Sequence, residues 1–127
     1  VGTHELRYLL DSVILIDHFN GIDRATRFLA EHHPYSALSV ITRAELLTGF
    51  DDDHSAMVAG LVDRFAHLDV DKTIADLAAR LRRRHRWKLP DAFQAALAQH
   101  HGLTLVTRNT NDFRPERHDF VQVPYRL

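Results

Sequence analysis

The sequence predicts an α/β fold in which helices cover a mostly parallel sheet. Three observations lead there. Short apolar runs such as "LTLVT" (103–107) have the length of buried strands and end on turn or capping residues. Between such runs lie longer stretches in which apolar residues recur every three or four positions, the spacing of one helix face. The two kinds alternate along the chain, which is the order that βαβ units require. With 127 residues, 45% of them hydrophobic, the chain can bury one proper core, so a single domain over 7–127 is expected. Residues 1–6, "VGTHEL", carry no pattern and are expected to be a remnant or disordered tail outside it.

The elements follow in order. "RYLLD" (7–11) reads as a buried strand, and "SVILIDHFN" (12–20) as a helix that starts at Ser12 and stops before Gly21. "DRATRFLAEHH" (23–33) is amphipathic, with Ala25, Phe28 and Leu29 on one face, and His33-Pro34 ends it. "SALS" (36–39) is a brief strand, and Ser39 caps the helix "VITRAELLTGF" (40–50), which Gly49 helps to close. Acidic "DDDH" (51–54) lies in a loop opening onto the helix "SAMVAGLVDRFA" (55–66); it lacks the alternating oxygen ligands and glycine of a calcium loop and so reads as a helix start, and a third strand is expected around 67–71. A long helix spans 71–86. Pro90 opens another that ends at Gly102, and strands at 103–107 and 120–123 complete the sheet.

Composition removes several classes of function. Without cysteine there are neither disulfides nor thiolate metal sites, in keeping with a reducing compartment, and a cytoplasmic location is expected. No apolar run approaches the ~20 residues of a membrane span. A net charge of −1 argues against a protein that coats polyanions over its whole surface.

Four carboxylates stand at or near element ends. Asp11 closes the first strand, and ligands of open parallel sheets bind outside the carboxyl ends of strands. Alone, Asp11 reads equally well as the cap of the next helix. Asp17 belongs elsewhere, since six helical residues carry it about 9 Å along the axis and onto another face. Glu45 falls at the rim of an expected core stripe of Val40, Ala44 and Leu47, where a carboxylate needs a partner or a cation. Asp91 lies in the first turn of its helix, with Ala95 and Ala98 on its stripe leaving room for close approach. Asp112 belongs to "LVTRNTNDF", a polar loop leaving the carboxyl end of a strand. Acids converging at one sheet edge repel unless cations bind there, and oxygen donors alone point to Mg²⁺ or Mn²⁺.

"LLDSVILID", "AEL" (44–46), "LPDAFQAALA" and "LVTRNTNDF", in this order, resemble the PIN-domain ribonucleases, and within them the VapC toxins of bacterial toxin–antitoxin pairs. The resemblance runs from about residue 7 to 124. It implies a three-layer α/β/α sandwich on a mostly parallel sheet. Asp11, Glu45, Asp91 and Asp112 are then the catalytic, Mg²⁺- or Mn²⁺-binding acids, supported by Ser12, Thr107 and Asn109. It further implies an endoribonuclease that cuts structured RNA, tRNA or rRNA, by metal-activated water. A cognate VapB-type antitoxin would inhibit it, and a homodimer or a toxin–antitoxin hetero-oligomer is implied. The family usually has threonine and then Asn or Ser after the first aspartate. Ser12 keeps a hydroxyl, whereas Val13 removes a polar group. The alternative function is a non-catalytic PIN scaffold that binds RNA or protein, which intact acids at all four positions disfavour.

One basic run remains, "RLRRRHRWK" (80–88). A buried stripe of Ile74, Leu77, Ala78, Leu81 and His85 turns Arg80, Arg83 and Arg86 outward, where they are either a solvated face or a grip on an RNA backbone. Trp87 either stacks on a base or fills a gap under a loop. The ten histidines include adjacent pairs at helix ends, which diverge by about 100° and do not make a metal site. Phe19, Phe28, Phe50, Phe65, Leu61 and Met57 mix core positions with exposed ones that an antitoxin would cover.

Overall fold

A computed structural model describes residues 5–127. Its sheet has five strands: β1 (Tyr8–Leu10), β2 (Ser36–Ser39), β3 (Ala66–Leu68), β4 (Thr104–Val106) and β5 (Val121–Gln122). The order across the sheet is β3-β2-β1-β4-β5, and all neighbours are parallel. The helices are α1 (Ser12–Phe19), α2 (Asp23–His32), α3 (Val40–Thr48), α4 (Asp52–Val62), α5 (Lys72–His85) and α6 (Leu89–His101). The expected α/β sandwich is therefore observed. The tail expected over residues 1–6 lies mostly outside the described residues, while Leu6 packs against the core.

Alternation along the strands builds two cores. Leu9 and Leu105 pair in register and face α5 and α6, together with Ile74, Ala78, Leu97 and Phe113. Their neighbours Leu10 and Val106 point the opposite way, joining Ile14, Leu15, Phe28, Leu38, Leu46 and Val58 from the side of α1–α4. Burial on both faces explains why the strands read as continuous apolar runs.

The chain winds outward from β1 through β2 to β3 on one side, then returns to β4 and β5 on the other. Strand order thus reverses between β1 and β4, and the crevice above their carboxyl ends is the place where such sheets bind ligands. Asp11 follows β1 and Thr107 follows β4, so both stand on that crevice.

Several local expectations need correction. Asp51 caps α4 by accepting from the His54 N–H at 3.0 Å, so the acidic run begins the helix, as its lack of a calcium-loop pattern implies, and the helix starts at Asp52 and not at Ser55. Strand β3 ends at Leu68, before the acids of "DVD", and Asp71 caps α5 through the Ile74 N–H. His33-Pro34-Tyr35 forms a 3-10 turn after α2. In α3 the core face carries Thr42 and Leu46, whereas Ala44 is exposed. The stripe expected there was rotated because Thr42, a polar residue, faces inward and is held by hydrogen bonds. In α6, Ala95 and Ala98 are fully buried and leave no open stripe, since α5 packs along the helix that β1 and β4 cover from the other side.

Candidate functional site

Asp11 lies at the point where β1 becomes α1. Its backbone is extended (φ −72°, ψ 152°), its N–H donates to Val106 O at 2.9 Å, and its Oδ1 accepts the Ser12 N–H at 2.8 Å. It therefore does cap the helix, yet capping occupies one oxygen only. Oδ2 accepts the Thr107 hydroxyl at 2.6 Å, across the crevice from β4. The residue is 9% exposed, and burial holds its pKa above the ordinary carboxylate value despite these donors.

The loop after β4 extends this network. Thr107 Oγ1 accepts the Asn109 N–H at 2.9 Å, and Asn109 Nδ2 donates to Asp112 Oδ2 at 3.0 Å. The Trp87 indole N–H donates to the Asp112 carbonyl at 2.9 Å. A continuous line of hydrogen bonds, Asp11–Thr107–Asn109–Asp112, thus orients two acids that lie far apart in the chain. Thr107 and Asn109 each donate to a carboxylate, and Ser12 does so through its backbone N–H.

Asp91 and Glu45 arrive on α6 and α3. Asp91 titrates at about 6, raised first by burial and then by the charges of Asp11 and Asp112, with a hydrogen bond to Asp112 adding to the effect. Glu45 is exposed as a residue, yet its carboxyl is raised by partial desolvation and then by Asp11. Glu45 is thus raised by Asp11, and Asp91 by both Asp11 and Asp112, which ties the four acids to one place. Sequence reasoning missed a support beneath them. Buried Gln94, one turn on from Asp91, donates to Thr42 Oγ1 at 2.9 Å and also to Asp11, while the Ser39 hydroxyl joins Thr42 at 3.2 Å. Its signal was a glutamine on a helix of otherwise apolar inward positions. Its Oε1 is buried with no partner among the described residues.

Other candidates lie elsewhere. Asp17 is buried in a bidentate pair with Arg108 (2.6 and 2.8 Å) and accepts the Tyr125 hydroxyl at 2.7 Å, which lowers its pKa. Arg80, Arg83 and Arg86 are exposed on and just past α5, and among the described residues none bonds to the four acids. Trp87 is 4% exposed and packs against Phe113, so it fills the space under the loop and offers no face to a base. Phe28 and Phe65 are buried, while Met57 is 58% exposed.

An oxygen-only donor set of mutually repelling acids fits a hard divalent cation. Among the described residues no three acid or histidine side chains are gathered closely enough to enclose an ion by themselves. That is compatible with Mg²⁺, which commonly takes one or two carboxylates and retains several waters.

A sequence model of the PIN domain matches residues 8–115. The chain belongs to the PIN-domain family. The same fold recurs in a toxin–antitoxin complex from Klebsiella pneumoniae, 36% identical, with a TM-score of 0.87 over 94% of this chain and 99% of that one. A DNA-bound VapBC from Salmonella typhimurium, 24% identical, gives 0.73 over 85% and 90%, and FitAcB from Neisseria gonorrhoeae, 23% identical, gives 0.77 over 94% and 99%. Curated proteins yielded no match. Within this PIN domain, among the described residues, no helix is long and apolar enough to cross a membrane.

Proposed function

We propose that this PIN domain is a VapC-type toxin, a Mg²⁺- or Mn²⁺-dependent endoribonuclease acting on structured RNA such as tRNA or rRNA. The observation that carries the reading is the convergence of four acids from separate elements at the strand-order crevice: Asp11 and Asp112 stand at the two ends of the Thr107–Asn109 hydrogen-bond line, and Glu45 and Asp91 lie close enough to be raised by the charge of Asp11. These acids would hold the ion, one or two of them directly and the others through its retained waters. Thr107 and the Ser12 N–H fix Asp11, and Asn109 fixes Asp112, so the carboxylates are oriented before RNA arrives. When bound, a divalent ion lowers the pKa of water and offsets charge on the phosphoryl oxygens during in-line displacement. Buried Asp11 and half-buried Asp91 keep the site partly desolvated, which strengthens these charge interactions.

The Klebsiella relative was solved as a toxin–antitoxin complex, which supports a VapB-type antitoxin as the partner here. A groove of about 560 Å³ lined by His18, Phe19, Met57, Gly60, Leu61 and Arg64 offers the apolar surface that an amphipathic antitoxin segment covers. A basic side chain from its tail then pairs with the four acids and excludes metal. A toxin homodimer completes the proposal.

The test is cleavage of tRNA and rRNA by the purified chain. Mg²⁺ or Mn²⁺ should be required, 5′-phosphate and 3′-hydroxyl ends should result, and Asp112→Asn should remove activity while remaining folded. Metal-dependent RNA binding without cleavage would instead favour a non-catalytic scaffold.

A further inference from the structure

Asp112 itself lines one part of a hollow of about 190 Å³. Its floor is an aromatic stack. The His85 ring lies on Trp87 at 4.2 Å and 20°, and His118 meets both edge-on at 5.1 and 5.2 Å. The same Trp87 holds the Asp112 carbonyl, so the hollow and the acid share one rigid support. On the rim, a turn in which the Arg117 and His118 N–H groups both donate to Arg114 O brings Arg114 and Arg117 to the opening, along with Asn111. Both arginines are exposed, and among the described residues neither side chain has an ion pair or hydrogen bond.

Two unpaired guanidinium groups on one small hollow repel each other, and an anion relieves that repulsion. Trp87 is 4% exposed beneath the two imidazoles, so the indole itself offers no face to a base. A tetrahedral anion suits the forked donors and the modest volume better. Resting on the nuclease reading above, we infer that this hollow is a subsite for an RNA phosphate adjacent to the scissile one, with Arg114 and Arg117 as its cations and His118 and Asn111 as hydrogen-bonding partners. The strand is thereby gripped by the loop that carries Asp112. The outward arginines of α5 do not line the hollow.

The experiment compares wild type with Arg114→Ala/Arg117→Ala, Arg114→Lys/Arg117→Lys and Arg80→Ala/Arg83→Ala. Oligouridylate is the probe. Its cleavage is followed in Mg²⁺, and its binding by fluorescence anisotropy in Ca²⁺ over a salt series. The alanine pair should raise KM about tenfold with kcat within about twofold, and flatten the salt slope by about 0.7 for one lost phosphate contact. The lysine pair should keep the slope and recover part of KM, because charge survives while the forked geometry is lost. Arg80→Ala/Arg83→Ala should leave the slope as in wild type. An unchanged slope in the alanine pair overturns the subsite, as does a fall in kcat at constant KM. Weaker antitoxin binding with unaltered RNA binding also overturns it, making the hollow a protein contact. If wild type binds oligouridylate but cuts no RNA, the nuclease reading fails, and the slope alone then decides the subsite.

Discussion

Asp91→Asn should make the metal-free protein more stable, and only at neutral and alkaline pH. In the folded chain Asp91 titrates at about 6 against an ordinary 3.8, because it is half buried beside Asp11 and Asp112. A raised carboxylate pKa means that the folded state holds its proton more tightly than the unfolded state does. Below about pH 3.8 both states are protonated and there is no penalty. Between 3.8 and 6 the unfolded chain has released its proton while the folded one retains it, so stability falls as pH rises. Above 6 the penalty is complete. At about 1.36 kcal/mol per pH unit the gap corresponds to about 3 kcal/mol, and solvent screening of a half-exposed group reduces this to about 1–2 kcal/mol. Asparagine removes the charge and keeps an N–H that donates to Asp112. Thermal or urea unfolding in EDTA should show Asp91→Asn more stable by this amount at pH 8, about 3–8 °C in Tm, with the difference nearly gone at pH 4. Added Mg²⁺ should stabilise wild type and do little for the variant. A variant less stable than wild type at pH 8 in EDTA, or a difference independent of pH, would refute the reasoning.

Asp17→Ala should cost about 2–3 kcal/mol by breaking the charge-assisted bonds to Arg108 and the Tyr125 hydroxyl. Because Arg108 holds the Asp17 pKa below its ordinary value, that contribution is present above about pH 4 and lost as pH falls through the folded pKa, so the two unfolding curves should converge in acid. Arg86 ends α5 in the left-handed region (φ 60°), so Arg86→Gly should stabilise by about 1 kcal/mol in urea unfolding; a loss of stability would contradict the strain. Met57→Glu should weaken antitoxin binding by about tenfold or more in calorimetry while RNA cleavage persists, since it charges the exposed floor of the apolar groove.

How much of this was readable in the sequence depends on how local each cause is. Asp11 was legible because a strand's end is written in the apolar run before it, and the order of elements implied the parallel sheet on whose edge it stands. Thr107 and Asn109 were legible through the motif, although their bonds to Asp11 and Asp112 span loops that periodicity does not describe. The face of α3 was misread because a wheel ranks residues by hydropathy, and Thr42 is buried through its bonds to Ser39 and Gln94. The small residues of α6 looked like open space, but Ala95 and Ala98 are where a neighbouring helix packs closely. For the basic residues, a run in sequence drew notice to α5. Arg114 and Arg117, three positions apart in an irregular loop, reach a common hollow only through a turn that leaves no periodic signature.

The central claim is that four acids act together as one metal site that cuts RNA. It is tested most directly by titrating Mn²⁺ into wild type and into Asp11→Asn, Glu45→Gln, Asp91→Asn and Asp112→Asn, following metal binding and RNA cleavage in the same samples. Cleavage in wild type should rise with Mn²⁺ occupancy, and every substitution should weaken binding and remove cleavage in a folded protein. Full cleavage by any folded variant, or cleavage by wild type in EDTA, would contradict it.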